Sequence, residues 1–270
     1  MEYSVKHWFH WASLFFFGVV FCQVEYLYYD YQPRKHVFFV HGTFGHDQAW
    51  YQKNGDFYNE YVAQIATSVV VYSFSWSGRC SHEHRLQAAH SLARKILLSC
   101  HPSDDITLIG HSHGANVCIM AVNELVKKHP MYKIKRVISL ATPVSYDPLY
   151  TPNMKCIDRL YHFFSFGDLV QPVFNFFERV FESHPRIWNI AVKIDGKFSG
   201  HSDLRSPIMV SFLKQVDMYK LENDTTLIHL KSDGTFSFEC DHQRLQLLML
   251  EKENFSMIFP DAISRKLCIS

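Results

Sequence analysis

Short runs of hydrophobic residues alternate along this chain with longer stretches in which apolar positions recur at helical spacing. The short runs are rich in β-branched and aromatic residues, a pattern typical of buried strands, and they lie at 36–40, 68–74, 106–109, 135–140 and 159–166. Helical periodicity occupies the intervals 50–66, 84–100 and 115–128. Strand and helix in this alternation predict right-handed crossovers and an α/β fold, with a mostly parallel central sheet flanked by helices.

The first 31 residues differ from this pattern, because residues 11–22 form one apolar run. At about twelve residues the run is shorter than the roughly 20 residues of a membrane-spanning helix. It suits the hydrophobic region of a signal peptide or an uncleaved anchor, yet bulky residues at 20–23 stand where a signal peptidase needs small ones. A buried first strand or helix explains the run equally well. The localisation is therefore left open between the cytoplasm and membrane association or export.

We predict one core domain over residues 32–222, followed by a different kind of segment at 223–270. Residues 226–230, a turn at 232–234 and residues 235–239 predict a hairpin, which we interpret as a small C-terminal appendage. Within the core, residues 171–197 contain an apolar helical pattern. This segment is either a lid over an apolar site or a helix that closes the sheet.

Composition narrows the classes of partner. Lys and Arg number 27 against 26 Asp and Glu, which argues against nucleic-acid binding. Seven widely spread cysteines with no Cys-x-x-Cys pair argue against a disulfide framework or a structural zinc site. The histidine pairs 82/84 and 111/113 lack accompanying ligands, so no metal is predicted. The oligomeric state is not indicated.

The strongest candidate for chemistry is the Gly-x-Ser-x-Gly motif at 110–114, which ends a predicted strand and opens a predicted helix. Gly110 and Gly114 leave room where strand and helix crowd together, and the hydroxyl of Ser112 is thereby exposed on a tight turn. The backbone N–H of His113 then lies at a helix N-terminus, where it can help bind an oxyanion. Ser112 is therefore the candidate nucleophile, although an ordinary serine in a Gly-rich turn also fits the motif alone.

A second turn, His-Gly-x-x-Gly at 41–45, directly follows the first buried strand. Its glycines allow the loop to present a backbone N–H toward the nucleophile. Thr43 is the first choice for this second oxyanion donor and Phe44 is the next. A simple glycine turn remains the alternative.

The acid and the base of the candidate site come later in the chain. Asp168 follows the strand at 159–166 and is expected on the sheet edge where open α/β sheets bind ligands. Asp147 and Asp158 compete less well, because the first lies in a Pro-rich loop and the second precedes its strand. His201 lies in a loop with glycine and serine neighbours and is the candidate general base.

Oxyanion turn, serine, acid and histidine thus occur in the order of one known solution to the catalytic triad. With its His-Gly-x-x-Gly and Gly-His-Ser-x-Gly motifs, the chain resembles the α/β-hydrolase fold superfamily, and within it bacterial lipases and esterases, over residues 36–213. The family usually has Gln or Leu where His113 stands, but only the backbone N–H is needed there.

The resemblance implies a serine hydrolase that cleaves carboxylic esters of apolar acyl groups through an acyl-enzyme on Ser112, without a metal or an organic cofactor. The implied partner is a small-molecule or lipid ester, and a lipid surface stays open as a partner. Phe44, Trp76 and residues 174–181 favour an apolar acyl group. A thioesterase or amidase would use the same triad, and a catalytically silent fold could act as a binding module.

Overall fold

The computed structural model describes residues 31–63, 68–145, 147–170, 179–213, 215–216 and 226–239. The chain divides into two compact units, Met1–Pro33 and Arg34–Ser270, and the second is described below. Predictions for residues 1–30, for the helical pattern at 171–178 and for residues 240–270 fall outside the described part. None of the described helices is long and apolar enough to cross a membrane.

The described residues form nine strands and four α-helices. The strands are β1 (Lys35–Val40), β2 (Val69–Phe74), β3 (Asp105–His111), β4 (Ile134–Leu140), β5 (Ile157–Phe164), β6 (Ile187–Ile194), β7 (Lys197–Phe198), β8 (Thr226–Leu230) and β9 (Phe236–Glu239). The helices are α1 (Asp56–Ala63), α2 (His82–Ser99), α3 (His113–Lys128) and α4 (Pro207–Leu213). Short 3₁₀ turns lie at Ala49–Tyr51 and Asp203–Arg205.

All the described strands belong to one sheet. Its order is β2-β1-β3-β4-β5-β6-β8-β9, with β7 paired to β6 beside this path. Neighbouring strands pair parallel along the sheet from β2 at one edge as far as β8. In contrast, β7 pairs antiparallel to β6, and β9 pairs antiparallel to β8. The predicted mostly parallel sheet flanked by helices is thus confirmed. Parallel pairing also brings the carboxyl ends of β1, β3, β4, β5 and β6 to a single edge of the sheet.

The central strands of the sheet are buried on both faces, as their mostly hydrophobic sequences require. Successive residues of β1 enter opposite cores: Phe38 packs with residues of α2 and α3, while Phe39 packs with residues of α1 and α4. Helix α2 begins at an N-cap, Ser81, whose side chain accepts a hydrogen bond from the backbone N–H of His84. Two layers of helices therefore hold the sheet in place around the edge that carries the candidate residues.

Two sequence predictions about element placement were wrong. Residues 187–194, assigned to the 171–197 segment as lid or closing helix, form strand β6 between β5 and β8. Its pattern is interrupted by Asn189, which is buried because its side-chain amide bonds to the backbone N–H and C=O of Phe181, at 3.0 and 2.9 Å. The predicted hairpin is present as β8 and β9. It is not an appendage, since β8 pairs parallel to β6 and four of its five residues are buried.

Candidate active site

The candidate residues lie where parallel strands end. Ser112 follows β3, Thr43 and Phe44 lie in the loop after β1, and Asp168 lies in the loop after β5. His201 follows β7. Because β7 pairs antiparallel to β6, the chain turns back along β6 before it reaches His201. The fold thus gathers residues that are distant in sequence at one edge.

Ser112 occupies a strained backbone conformation between β3 and α3, with φ at 54° and ψ at −135°. A non-glycine residue adopts this region only where its surroundings fix it. Here the backbone N–H of Ser112 donates to the carbonyl of Leu140 at 2.8 Å, and its own carbonyl accepts from Ala115 at 3.1 Å. The turn predicted from the sequence therefore exists, with the serine side chain at its apex.

Two glycines permit the close approach of backbone around this serine. A Cβ on Gly114 would lie 2.3 Å from the carbonyl oxygen of Val40, and a Cβ on Gly42 would lie 2.7 Å from the Cβ of Ser112. Both distances are below contact between non-bonded atoms, so neither position accepts a larger residue without a backbone shift. Gly42 thus places the turn after β1 directly against Ser112.

The two candidate oxyanion donors in that turn are not equivalent. The backbone N–H of Phe44 donates to the carbonyl of Gly78 at 2.7 Å and is therefore already used. Within the described residues the backbone N–H of Thr43 has no hydrogen-bond acceptor. The geometry favours Thr43 over Phe44, in the order that the sequence proposed.

His41 holds the candidate oxyanion turn, residues 41–45, in place from the side of the core. Its Nε2 accepts the backbone N–H of Trp76 at 3.0 Å, so its Nδ1 carries the hydrogen that is donated to the carbonyl of Gly42 at 2.8 Å. Trp76 also stacks on this ring and donates its indole N–H to the His41 carbonyl at 2.7 Å. Burial lowers the pKa of His41, which keeps the ring neutral.

Asp168 and His201 are in direct contact. Nδ1 of His201 lies 2.7 Å from Oδ2 of Asp168, whose side chain is fully buried, while the imidazole is 16% exposed. The other carboxylate oxygen accepts the backbone N–H of Val170 at 2.8 Å. Because a carboxylate only accepts, His201 must carry its hydrogen on Nδ1, which leaves Nε2 free to act as a base. The competing acids serve elsewhere: Asp147 accepts the N–H of Leu149 and Asp158 pairs with Lys135.

His111 is a site residue that sequence reasoning missed. Its Nε2 lies 2.9 Å from the carbonyl oxygen of His201, and the two rings make an edge contact with centroids 4.7 Å apart. Burial, together with the charge of His201, lowers the pKa of His111 well below its usual value. A carbonyl accepts only, so the neutral ring donates from Nε2. No local pattern signals this contact, because the partners are ninety positions apart.

The other histidines considered as metal ligands have different partners. His82 contacts the hydroxyl of Tyr150 at 2.8 Å, and His84 contacts the hydroxyl of Ser81 at 2.8 Å. His113 receives the side-chain amide of Asn116 at 3.1 Å, and burial lowers its pKa to about 3. In this geometry His113 is neutral, and it is the first residue of α3.

Replacing His111 by Phe is expected to lower kcat roughly 10- to 100-fold with little change in KM, because the candidate base, His201, would lose the bond that fixes its backbone. His111→Gln, which keeps a donor, should recover much of kcat. Steady-state kinetics on a soluble ester, with Tm measured in parallel, separates this effect from a loss of stability. A fall in Tm with kcat unchanged would assign His111 to packing alone.

Comparison with known proteins adds a family. The model of the alpha/beta hydrolase family matches residues 37–236, which is most of the chain. No curated protein matches the sequence.

Solved structures similar to the chain have low identity. A cutinase-like protein from Cryptococcus sp. is 15% identical at a TM-score of 0.30, covering 48% of this chain and 53% of its own. A serine hydrolase without a lid from Xanthomonas campestris is 17% identical at a TM-score of 0.40, covering 72% and 86%. A metagenomic carboxyl esterase is 13% identical at a TM-score of 0.35, covering 61% and 51%. The chain thus spans about half the length of the first and third of these proteins.

Proposed function

Because the chain belongs to the alpha/beta hydrolase family, we propose that it is a serine hydrolase that cleaves carboxylic esters of apolar acyl groups. Ser112 is the proposed nucleophile, His201 the general base and Asp168 its partner. The observation that carries this proposal is the 2.7 Å contact between His201 and a fully buried Asp168, on the sheet edge where Ser112 stands in its strained turn. A buried carboxylate that orients a histidine is the second half of a catalytic triad.

In this proposal, acylation begins at Ser112. The hydroxyl oxygen of Ser112 attacks the ester carbonyl carbon while its proton passes to Nε2 of His201. Asp168 stabilises the imidazolium that forms. The tetrahedral intermediate collapses as His201 returns the proton to the departing alkoxide, which leaves as an alcohol. Water, activated by the same histidine, then attacks the acyl-enzyme and releases the carboxylic acid.

The negative charge of the tetrahedral intermediate needs donors that are already in place. The backbone N–H groups of His113, at the first position of α3, and of Thr43, in the turn held by His41, supply them in this proposal. Each such donor contributes on the order of 3 kcal/mol to transition-state stabilisation. Because the turn after β1 is already fixed, little of this stabilisation is lost to reorganisation of the turn.

An apolar acyl group is favoured by large hydrophobic side chains exposed beside the proposed triad. Phe44, one residue after Thr43, is 67% exposed, and Leu169, one residue after Asp168, is 70% exposed. Trp76, which the sequence suggested for this role, is instead buried against His41 and supports the oxyanion turn. Burying Phe44 against an acyl chain would recover about 25 cal/mol for each Å² of apolar surface removed from water.

We expect Phe44→Ala to lower kcat/KM for long-chain esters by roughly 10-fold while leaving that for acetate esters nearly unchanged, because only a long acyl chain reaches the lost ring. The measurement is kcat/KM for p-nitrophenyl esters of increasing chain length. Leu98→Ala, which changes a similarly exposed hydrophobic side chain at the far end of α2, is the matched control. An unchanged chain-length profile would remove Phe44 from substrate binding.

The proposed function is tested by supplying ester, thioester and anilide substrates that share one acyl chain. Turnover of the ester with burst release of the alcohol, abolished by prior reaction with a fluorophosphonate, is the expected result. Preference for the thioester or anilide would identify the alternative hydrolase with the same triad. A folded protein that neither turns over any of them nor reacts with the fluorophosphonate would be a binding module.

A further inference from the structure

Three side chains of metal-ligating type meet at the edge of the sheet opposite the proposed active site. His36 is the second residue of β1, Cys100 caps the end of α2, and Asp104 directly precedes β3. One nitrogen, one sulfur and one oxygen from these residues all lie within 4.8 Å of one another. All three residues are buried, with 3%, 7% and 5% of their surface exposed.

The imidazole of His36 has no hydrogen bond at Nε2, the nitrogen that faces Asp104. Nε2 lies 3.1 Å from Oδ2 of Asp104, yet it has no partner in hydrogen-bonding geometry. On the opposite side of the ring, Nδ1 lies 3.3 Å from the hydroxyl of Tyr72. A histidine fixed through one nitrogen, with the other turned toward ligand atoms, is typical of metal-bound histidines.

The carboxylate of Asp104 is likewise fixed by its surroundings. Oδ1 accepts the backbone N–H of Arg34 at 2.8 Å, and Oδ2 accepts the backbone N–H of His101 at 2.7 Å. These two backbone hydrogen bonds hold the carboxylate toward the other two side chains. The oxygen ligand is therefore already in position.

We propose that His36, Cys100 and Asp104 are the three protein ligands of a zinc ion that stabilises the fold. Sulfur with nitrogen and oxygen is the donor set of Zn²⁺, whereas Mg²⁺ and Ca²⁺ take oxygen ligands. Zinc-ligand bond lengths place ligand atoms about 3.3–3.6 Å apart around a tetrahedral ion. The 3.1 Å between nitrogen and oxygen is close to this, and the sulfur lies within 4.8 Å of both atoms. As the Zn–S bond forms, the thiol proton is released to solvent, and a water fills the fourth position.

The site joins three elements at the amino ends of β1 and β3. The ion would tie the end of α2 to the starts of two central strands, so we expect it to stabilise the fold. From Asp104 to Ser112 the chain follows β3 for roughly 25 Å. The zinc site is thus separate from the proposed catalysis, and its test does not depend on that function.

The test uses the full chain purified without chelator, followed by exchange of the metal for Co²⁺. We expect one zinc per chain by elemental analysis, a fall in Tm on the order of 10 °C after chelation, and its recovery with added Zn²⁺. The cobalt form should show a sulfur-to-cobalt charge-transfer band and visible bands of tetrahedral intensity. Ester hydrolysis below the unfolding transition should be unchanged by chelation.

Cys100→Ser should remove the charge-transfer band and weaken zinc binding at least 10-fold. Cys156→Ser, at a cysteine of equal burial, is the matched control and should retain both. Wild-type protein that carries no zinc and shows no Tm response to Zn²⁺ would overturn the proposal and leave a buried His36–Asp104 pair. A cobalt spectrum that is identical in Cys100→Ser would overturn it equally.

Discussion

Ser112→Ala should lower kcat for ester hydrolysis by about 10⁶-fold, because no other group in the proposed mechanism can form the acyl-enzyme. The change removes one oxygen from a buried turn and keeps a Cβ, so the backbone strain at φ 54° and the packing against Gly42 are unchanged. Tm should therefore stay near that of the wild type. The measurement is burst release from a p-nitrophenyl ester, with mass spectrometry after fluorophosphonate labelling to locate the modified residue.

The matched control is Ser77→Ala, an exposed serine in the loop that leads to α2. It should retain both the burst and the label. If Ser112→Ala stays folded and keeps more than a hundredth of wild-type kcat, Ser112 is not the nucleophile. Labelling of a different serine in the wild type would lead to the same conclusion.

The parts of the fold that were predicted correctly are those in which local sequence and tertiary role agree. Residues 36–40 and 106–109 are mostly apolar because β1 and β3 are buried on both faces of the sheet. The turn at Ser112 could be recognised because Gly110 leaves room for residues close to it in the chain: a Cβ on Gly110 would lie 2.4 Å from the Cα of Ala115. In such segments the immediate neighbours decide the structure.

The parts that were missed depend on partners distant in the chain. Asn189 and Lys193 interrupt the apolar sequence of β6, and the buried Asn189 is acceptable because its amide bonds to the backbone of Phe181. His111 looks like an ordinary motif residue until the fold places the carbonyl of His201 against it. His36 and Cys100 are likewise unremarkable as single residues. Their chemistry arises from strand order, which hydrophobic periodicity does not encode.

The prediction for Asp168→Asn follows from the bonds of its two oxygens. Oδ1 accepts the N–H of Val170, so the amide oxygen of Asn should take that position and turn its NH₂ group toward Nδ1 of His201. Nδ1 must then accept, which moves the ring hydrogen to Nε2 and blocks proton transfer from Ser112. We expect kcat to fall about 10⁴-fold with KM and Tm nearly unchanged.

Steady-state kinetics on a p-nitrophenyl ester measures this loss. Asp147→Asn is the matched control, because Asp147 also accepts a backbone N–H two residues ahead, at 2.9 Å, but is exposed and apart from His201. It should keep wild-type kcat. A loss below 10-fold in a folded Asp168→Asn variant would mean that this carboxylate does not set the tautomer of the base. Both variants preserve shape, but a histidine contacts only the carboxylate of Asp168.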